Sequence, residues 1–169
     1  VCRTPGVTWR AAEGHRPVID GGWNGGRVDG SVNQVAASAP GVTVRGFTIQ
    51  NAPGRGVGIS ASDVTIENCR IDNCSNAGIS ANGKTAAGIS GLVVRGNVLT
   101  RLGGGRLVGD RVNGAMIFVR VRDGVVSGNV IRGGHGEGIN VDKGSYRILV
   151  EGNHVEDCAH VYIYLNRCT

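Results

Sequence analysis

One apolar motif recurs five times along this chain. VTVRGFTI at 42–49, VTIENCRI at 64–71, LVVRGNVL at 92–99, GVVSGNVI at 124–131 and ILVEGNHV at 148–155 align, with starts 22, 28, 32 and 24 residues apart. Each reads as two short strands of alternating apolar residues meeting at a Gly-Asn-like corner. A second apolar motif follows each: VGIS at 57–60, AGIS at 77–80, MIFV at 116–119, GINV at 138–141 and VYIYL at 161–165. The repeat is therefore about three strands and their turns. The 30 glycines agree, because glycine inside a helix costs roughly 1 kcal/mol relative to alanine. They are interleaved with valine and isoleucine, which distinguishes the chain from a disordered one.

A strand-and-turn repeat this short cannot bury its apolar face alone. Stacking coil on coil buries a continuous core and satisfies each strand's backbone through the coils above and below. The pattern predicts an all-β protein, a parallel β-helix with three parallel sheets and about six coils, in one domain over 1–169. Uneven spacing argues against the left-handed hexapeptide type. A closed barrel or sandwich predicts no such repetition.

Aligning the coils places Ile79, Ile139 and Ile163 in one inward row, and Ala81, Val141 and Leu165 in another. The expected outward rows are Ser80, Phe118, Asn140, Tyr164, then Asn82, Arg120, Asp142, Asn166, then Gly78, Met116, Gly138, Tyr162. The corner position reads Phe47, Cys69, Asn97, Asn129, Asn153. Asparagine tolerates left-handed angles and its amide can bond the same amide one coil away, which predicts an asparagine ladder. Cys74 and Cys158 share a repeat position about three coils apart, too far for a disulfide. The five cysteines are expected to act mostly as small apolar residues.

These repeats resemble the right-handed parallel β-helix proteins, the pectate-lyase-like superfamily of bacterial and phage polysaccharide-active proteins. The opening GVTWRAAEGHRPVIDGG is similar to a first coil, and HGEGINVDKGSYRILVEGNHVEDCAHVYIYLN to a late one. The resemblance implies a secreted or cell-surface protein and a substrate groove along one sheet, here the outward rows of 116–120, 138–142 and 162–166. Family members carry end caps that this sequence does not show. The chain is therefore expected to be part of a longer protein, or to have its ends covered by end-to-end contacts.

The loop TRLGGGRLVGDRVNG at 100–114 should stand beside GGHGEG at 133–138 and wall a cleft. Arg106, Asp110, Arg111, Arg120, His135, Glu137, Asn140, Asp142, His160, Tyr162 and Tyr164 converge there in this reading. Phe118, Tyr162 and Tyr164 offer flat faces for sugar rings. Arg120 and Asp142 read as a cross-coil ion pair, or as an arginine that holds a substrate carboxylate. A β-eliminating lyase needs a base and a neutralised carboxylate, for which Arg120, His135 and Lys143 are the catalytic candidates. Arg106, Arg111, Phe118, Glu137, Asn140, Asp142, Tyr162 and Tyr164 are the substrate-binding candidates. No cofactor is required. Calcium, which takes 6–8 oxygen ligands, would be the metal of a lyase, but the outward acids Asp110, Asp123, Glu137 and Asp142 are scattered.

Gly134-His135-Gly136 matches the G-H-G of polygalacturonase-type hydrolases, without the accompanying aspartates. No P-loop, zinc spacing or nucleophile elbow is present. Dispersed arginines and few aromatics argue against nucleic acid. No apolar run approaches the ~20 residues of a membrane span. The charge of +5 suits an acidic partner. Three functions follow: a lyase acting on uronate-containing polysaccharide, a non-catalytic carbohydrate-binding or adhesion module, or a structural solenoid segment of a larger protein.

Overall fold

A computed structural model describes residues 1–26, 31–104 and 114–168, and these wind into a parallel β-helix. The first sheet stacks β1 (Thr8–Arg10), β4 (Thr43–Arg45), β7 (Thr65–Glu67), β11 (Val93–Arg95), β14 (Val121–Ser127) and β17 (Tyr146–Glu151). A short strand, β10 (Ile89–Ser90), pairs with the start of β14. The second sheet stacks β2 (Val18–Asp20), β5 (Thr48–Ala52), β8 (Arg70–Cys74), β12 (Val98–Leu102), β15 (Val130–Gly134) and β18 (His154–Cys158). The third stacks β3 (Asn33–Ala37), β6 (Arg55–Ile59), β9 (Ile79–Asn82), β13 (Met116–Val119), β16 (Ile139–Asp142) and β19 (Ile163–Asn166). One strand from each sheet makes a coil, and the described residues form six.

Every pairing is parallel, so each side chain sits above its counterpart in the next coil. Val44, Ile66, Val94 and Val126 fill one inward row. Ile49, Ile71, Leu99 and Ile131 fill a second, all fully buried. Each such side chain contributes roughly 1.5–3 kcal/mol through burial. In the last coil the inward residues Ile163 and Leu165 are 47% and 65% exposed.

The corner ladder forms as expected. The Asn97 amide donates to Asn129 Oδ1 at 3.0 Å, and the Asn129 amide to Asn153 Oδ1 at 2.9 Å. The same amides also donate to the carbonyls of Ile66 and Val94. Cys69, one coil earlier, donates its backbone N–H to Asn97 Oδ1. The left-handed angle falls elsewhere than expected, on the residue before each rung: Gly46, Asn68, Gly96, Gly128 and Gly152. The turn is made by that residue, which frees the asparagine to point inward.

Cys74 and Cys158 belong to the column Cys74, Leu102, Gly134, Cys158, which sets them three coils apart. Burial pushes the Cys74 thiol up to about 12, so it stays protonated and serves as core volume.

The register of β13 corrects the sequence reading by one residue. Met116 pairs with Ile79 and Ile139, and Phe118 with Ala81 and Val141, so both point inward and are fully buried. Phe118 therefore offers no face to a sugar. Ile117 and Val119 point outward in its place. Arg120 lies beyond the strand at φ 52° and does not share a row with Asp142, whose neighbour is Val119. Asp142 instead accepts from Asn166 at 2.9 Å, with Lys143 Nζ 3.8 Å away.

Candidate functional site

The second sheet repeats an irregularity that apolar patterning does not reveal. The fourth residue of each strand from β5 to β18 is left-handed: Asn51, Asn73, Arg101, Gly133 and Asp157, with φ between 52° and 67°. The ladder skips it in every coil. Gln50 pairs with Asp72 and Ala52 with Cys74, while Asn51 and Asn73 stand outside the pairing. Each strand thus carries the same bulge in register, so the stack survives while an extra residue turns outward at each level. Asparagine, aspartate and glycine accept this geometry most readily.

Four of these residues, Asn73, Arg101, Gly133 and Asp157, line a cleft of about 540 Å³ where the second sheet turns toward the third. Its other lining residues are Trp23, Gly104, Gly134, His135 and Ala159. Trp23 comes from the first coil, on the segment after β2. Its backbone N–H bonds the carbonyl of Asn51, and its indole N–H donates to the carbonyl of Gly26 at 2.8 Å. Both bonds fix the ring in place and leave its faces free of polar duties. His135 begins the corner after β15, its backbone N–H bonded to Leu102. A Cβ placed on Gly104 would lie 3.9 Å from the Trp23 ring and 3.7 Å from His135 Nε2. Gly104 is therefore bordered by both an indole and an imidazole.

The polar floor is tied together beneath. Asn73 donates to Asn51 at 2.7 Å, and Asn51 and Gln50 both donate to the carboxylate of Asp20. Arg101 Nε donates to Asp72 at 2.9 Å and its Nη2 to the other carboxylate oxygen, while Thr100 adds a hydroxyl bond. Burial works against the Asp72 carboxylate, but the bonds from Arg101 and Thr100 outweigh it and hold its pKa below 3.8.

A folded pKa below the unfolded one stabilises fully above 3.8, and that contribution is lost as pH falls through the lowered value. Arg101→Gln should cost about 1 kcal/mol at neutral pH, since the arginine is largely exposed. It should also move the acid-induced loss of stability up toward pH 3.8. Urea titrations at neutral and stepwise acidic pH measure both effects.

The cleft gathers only part of what the sequence nominated. His135 is in it. Lys143 and Arg120 follow the C-terminal ends of β16 and β13, whereas His135 precedes β16, so the four-residue strand Ile139–Asp142 lies between His135 and Lys143, a span of roughly 13 Å. These three catalytic candidates therefore do not form one constellation. Glu137 sits half-buried in the same corner as His135, its carbonyl bonded to Ala115. Asn140 and Tyr164 are neighbours on the outward face of the third sheet. Asn140 Oδ1 is buried with no hydrogen-bond partner among the described residues. Tyr162 is 50% exposed at the last corner. Arg106, Asp110 and Arg111 lie outside the described residues. No three His, Cys, Asp or Glu side chains converge among the described residues, so no acidic donor set for calcium forms there.

Trp23, Asn73, Arg101 and Asp157 were missed. Asn51, Asn73, Gly133 and Asp157 at one repeat offset were a readable signal of left-handed backbone. Nothing in the sequence brings Trp23 to Gly104.

Residues 30–169 match the family described as a right-handed beta helix region. The chain belongs to that family, and its coil is a right-handed parallel β-helix. No curated protein and no solved structure gives a significant match.

Proposed function

We propose that this protein binds polysaccharide in the cleft between Trp23 and His135. The observation that carries the reading is that the Trp23 ring and the His135 imidazole both border Gly104 in one cleft, which Asn73, Arg101 and Asp157 also line. Sugar rings present apolar faces and a rim of hydroxyls. An indole suits the faces, and amide, carboxylate and guanidinium groups suit the rim. The net charge of +5 supports an acidic chain, such as a uronate polymer. Such a protein would act outside the cell or at its surface.

A second reading has the same cleft cleave the chain by β-elimination. It draws on His135, the one imidazole lining the cleft, as the base that takes the proton next to a uronate carboxylate. Arg101 is already paired with Asp72, which weakens it as a carboxylate clamp. The non-catalytic binding reading is therefore the better supported of the two.

Calorimetry against pectate, alginate, glycosaminoglycans and neutral glucans tests both. Binding of one of the acidic polymers is expected, weakened at least ~tenfold by Trp23→Ala. Release of unsaturated uronate, abolished by His135→Ala, would favour the lyase reading. No binding to any polymer would sink both.

A further inference from the structure

A separate cleft of about 430 Å³ lies at the corner between the first and second sheets, on the first three coils. It exists because the first coil turns this corner with a long segment, residues 11–17, where the next two coils use tight turns at Gly46 and Asn68. The segment overhangs those turns. Ala11 N–H bonds the carbonyl of Arg45, the carbonyl of Pro17 accepts from Thr48, and Arg16 reaches the carbonyl of Asn68 at 3.4 Å. The overhang brings Arg16 toward Arg10 and Arg45, which are stacked neighbours in the outward row of the first sheet. His15 and Glu13 complete the charged lining.

Stacking Arg10 directly on Arg45 sets like charges on backbones about 4.8 Å apart in one row, which is unfavourable without an anion between them. The row continues through Glu67 to Arg95. Glu67 neutralises the pair only in part, because Arg95 shares it. Its Oε2 is held by both Arg95 nitrogens at 2.7 Å, and its Oε1 forms a longer ion pair with Arg45 at 3.5 Å. Arg10 has no acidic partner among the described residues. Three guanidinium groups against the carboxylate of Glu13 and a share of Glu67 leave the cleft with surplus positive charge.

We propose that this cleft is an anion site for a tetrahedral oxyanion, a phosphate or sulfate group free or as a monoester. The geometry selects against a simple carboxylate. One arginine fork saturates a planar carboxylate, whereas three guanidinium groups approaching from a sheet face and from the overhanging segment suit an anion with three or four oxygens. A phosphate monoester also carries nearly two charges at neutral pH. The site is on a different corner from the Trp23 cleft and does not depend on the polysaccharide reading.

Titration of the whole chain, followed by calorimetry and by amide shifts of residues 10–16 and 45–46, tests the assignment. The probes are inorganic phosphate, inorganic sulfate, acetate, glucose 6-phosphate and galactose 6-sulfate. Phosphate or sulfate should bind saturably and acetate at least ~tenfold more weakly. Arg10→Gln and Arg16→Gln, both exposed, should each weaken binding roughly tenfold. Glu13→Gln should tighten it, and Lys84→Gln, an equal charge change in the turn after β9, should leave it unchanged. A sugar ester that binds more tightly than the inorganic ion identifies an ester as the source, and equal affinity identifies the free ion. Acetate binding as tightly as phosphate and sulfate overturns the proposal. So does an equal effect of Lys84→Gln and Arg10→Gln, or an oligonucleotide that outcompetes the monoesters.

Discussion

Asn129→Ala should destabilise the fold by about 3–5 kcal/mol. Asn129 is fully buried and holds the ladder from both sides. Its Oδ1 accepts from the Asn97 backbone N–H and from the Asn97 side-chain amide, each at 3.0 Å. Its own amide donates to the carbonyl of Val94 and to Asn153. Alanine removes all four bonds and leaves the Asn97 donors facing apolar core, where an unsatisfied group costs about 1–3 kcal/mol. Asn129→Asp is a stricter variant. It keeps the acceptor, loses both donors and sets a carboxylate against two oxygens, so it should destabilise as well. Urea denaturation followed by circular dichroism measures the cost. Hydrogen exchange should show protection lost first in the last two coils, because each coil is stabilised mainly by its neighbours. A cost below about 1 kcal/mol would mean that the ladder is not a structural spine.

Phe118→Ala should cost a comparable 3–5 kcal/mol, through lost burial and the cavity left behind. The ring is fully buried and stacked between Ala81 and Val141, and the small alanine leaves it room. The outward neighbours give the comparison its force. Ile117→Ala and Val119→Ala should each cost well under the Phe118 variant, about 1 kcal/mol or less, because both side chains are only partly buried. The opposite register, with Phe118 outward, predicts the reverse order. Three denaturation curves therefore decide the orientation of β13.

That register shows where sequence patterning loses its grip. The coils starting at residues 64, 124 and 148 alternate apolar with polar residues, and alternation assigns each strand a face. The asparagine ladder was readable for the same reason, since Asn97, Asn129 and Asn153 recur at one offset beside a glycine. M-I-F-V at 116–119 is apolar at every position, so neither face is marked. The long segment before it also removes the spacing that would have counted it into place. A slip of one residue then turned Phe118 from core into imagined sugar platform and paired Arg120 with the wrong neighbour.

The candidate site was legible at one residue. His135 was found because a glycine-flanked histidine at a corner is conspicuous. Asn73, Gly133 and Asp157 are residue types that mark left-handed backbone at one repeat offset, but with Arg101 they share no side-chain chemistry that would mark a site. Arg101 is the hardest of the four, since an arginine at φ 54° is not a residue type expected in that region. Its fork on Asp72 helps to hold it there. Trp23 is three coils away from Gly104 along the chain, and only the path of the segment after β2 brings them together.

Trp23, Gly104 and His135 meet in the cleft, and tryptophan fluorescence reads that meeting directly. The chain has two tryptophans, and Trp9 packs against the core, so a Trp9→Phe background leaves Trp23 as the sole reporter. Titration with acidic oligosaccharides should give a saturable change in its emission. Gly104→Val adds side-chain volume here, its Cβ alone meeting both rings at ordinary contact distances of 3.7–3.9 Å, and should weaken binding at least ~tenfold while leaving the denaturation midpoint in place. An emission spectrum indifferent to every oligosaccharide, or a titration that Gly104→Val leaves unchanged, would contradict the assignment of this cleft.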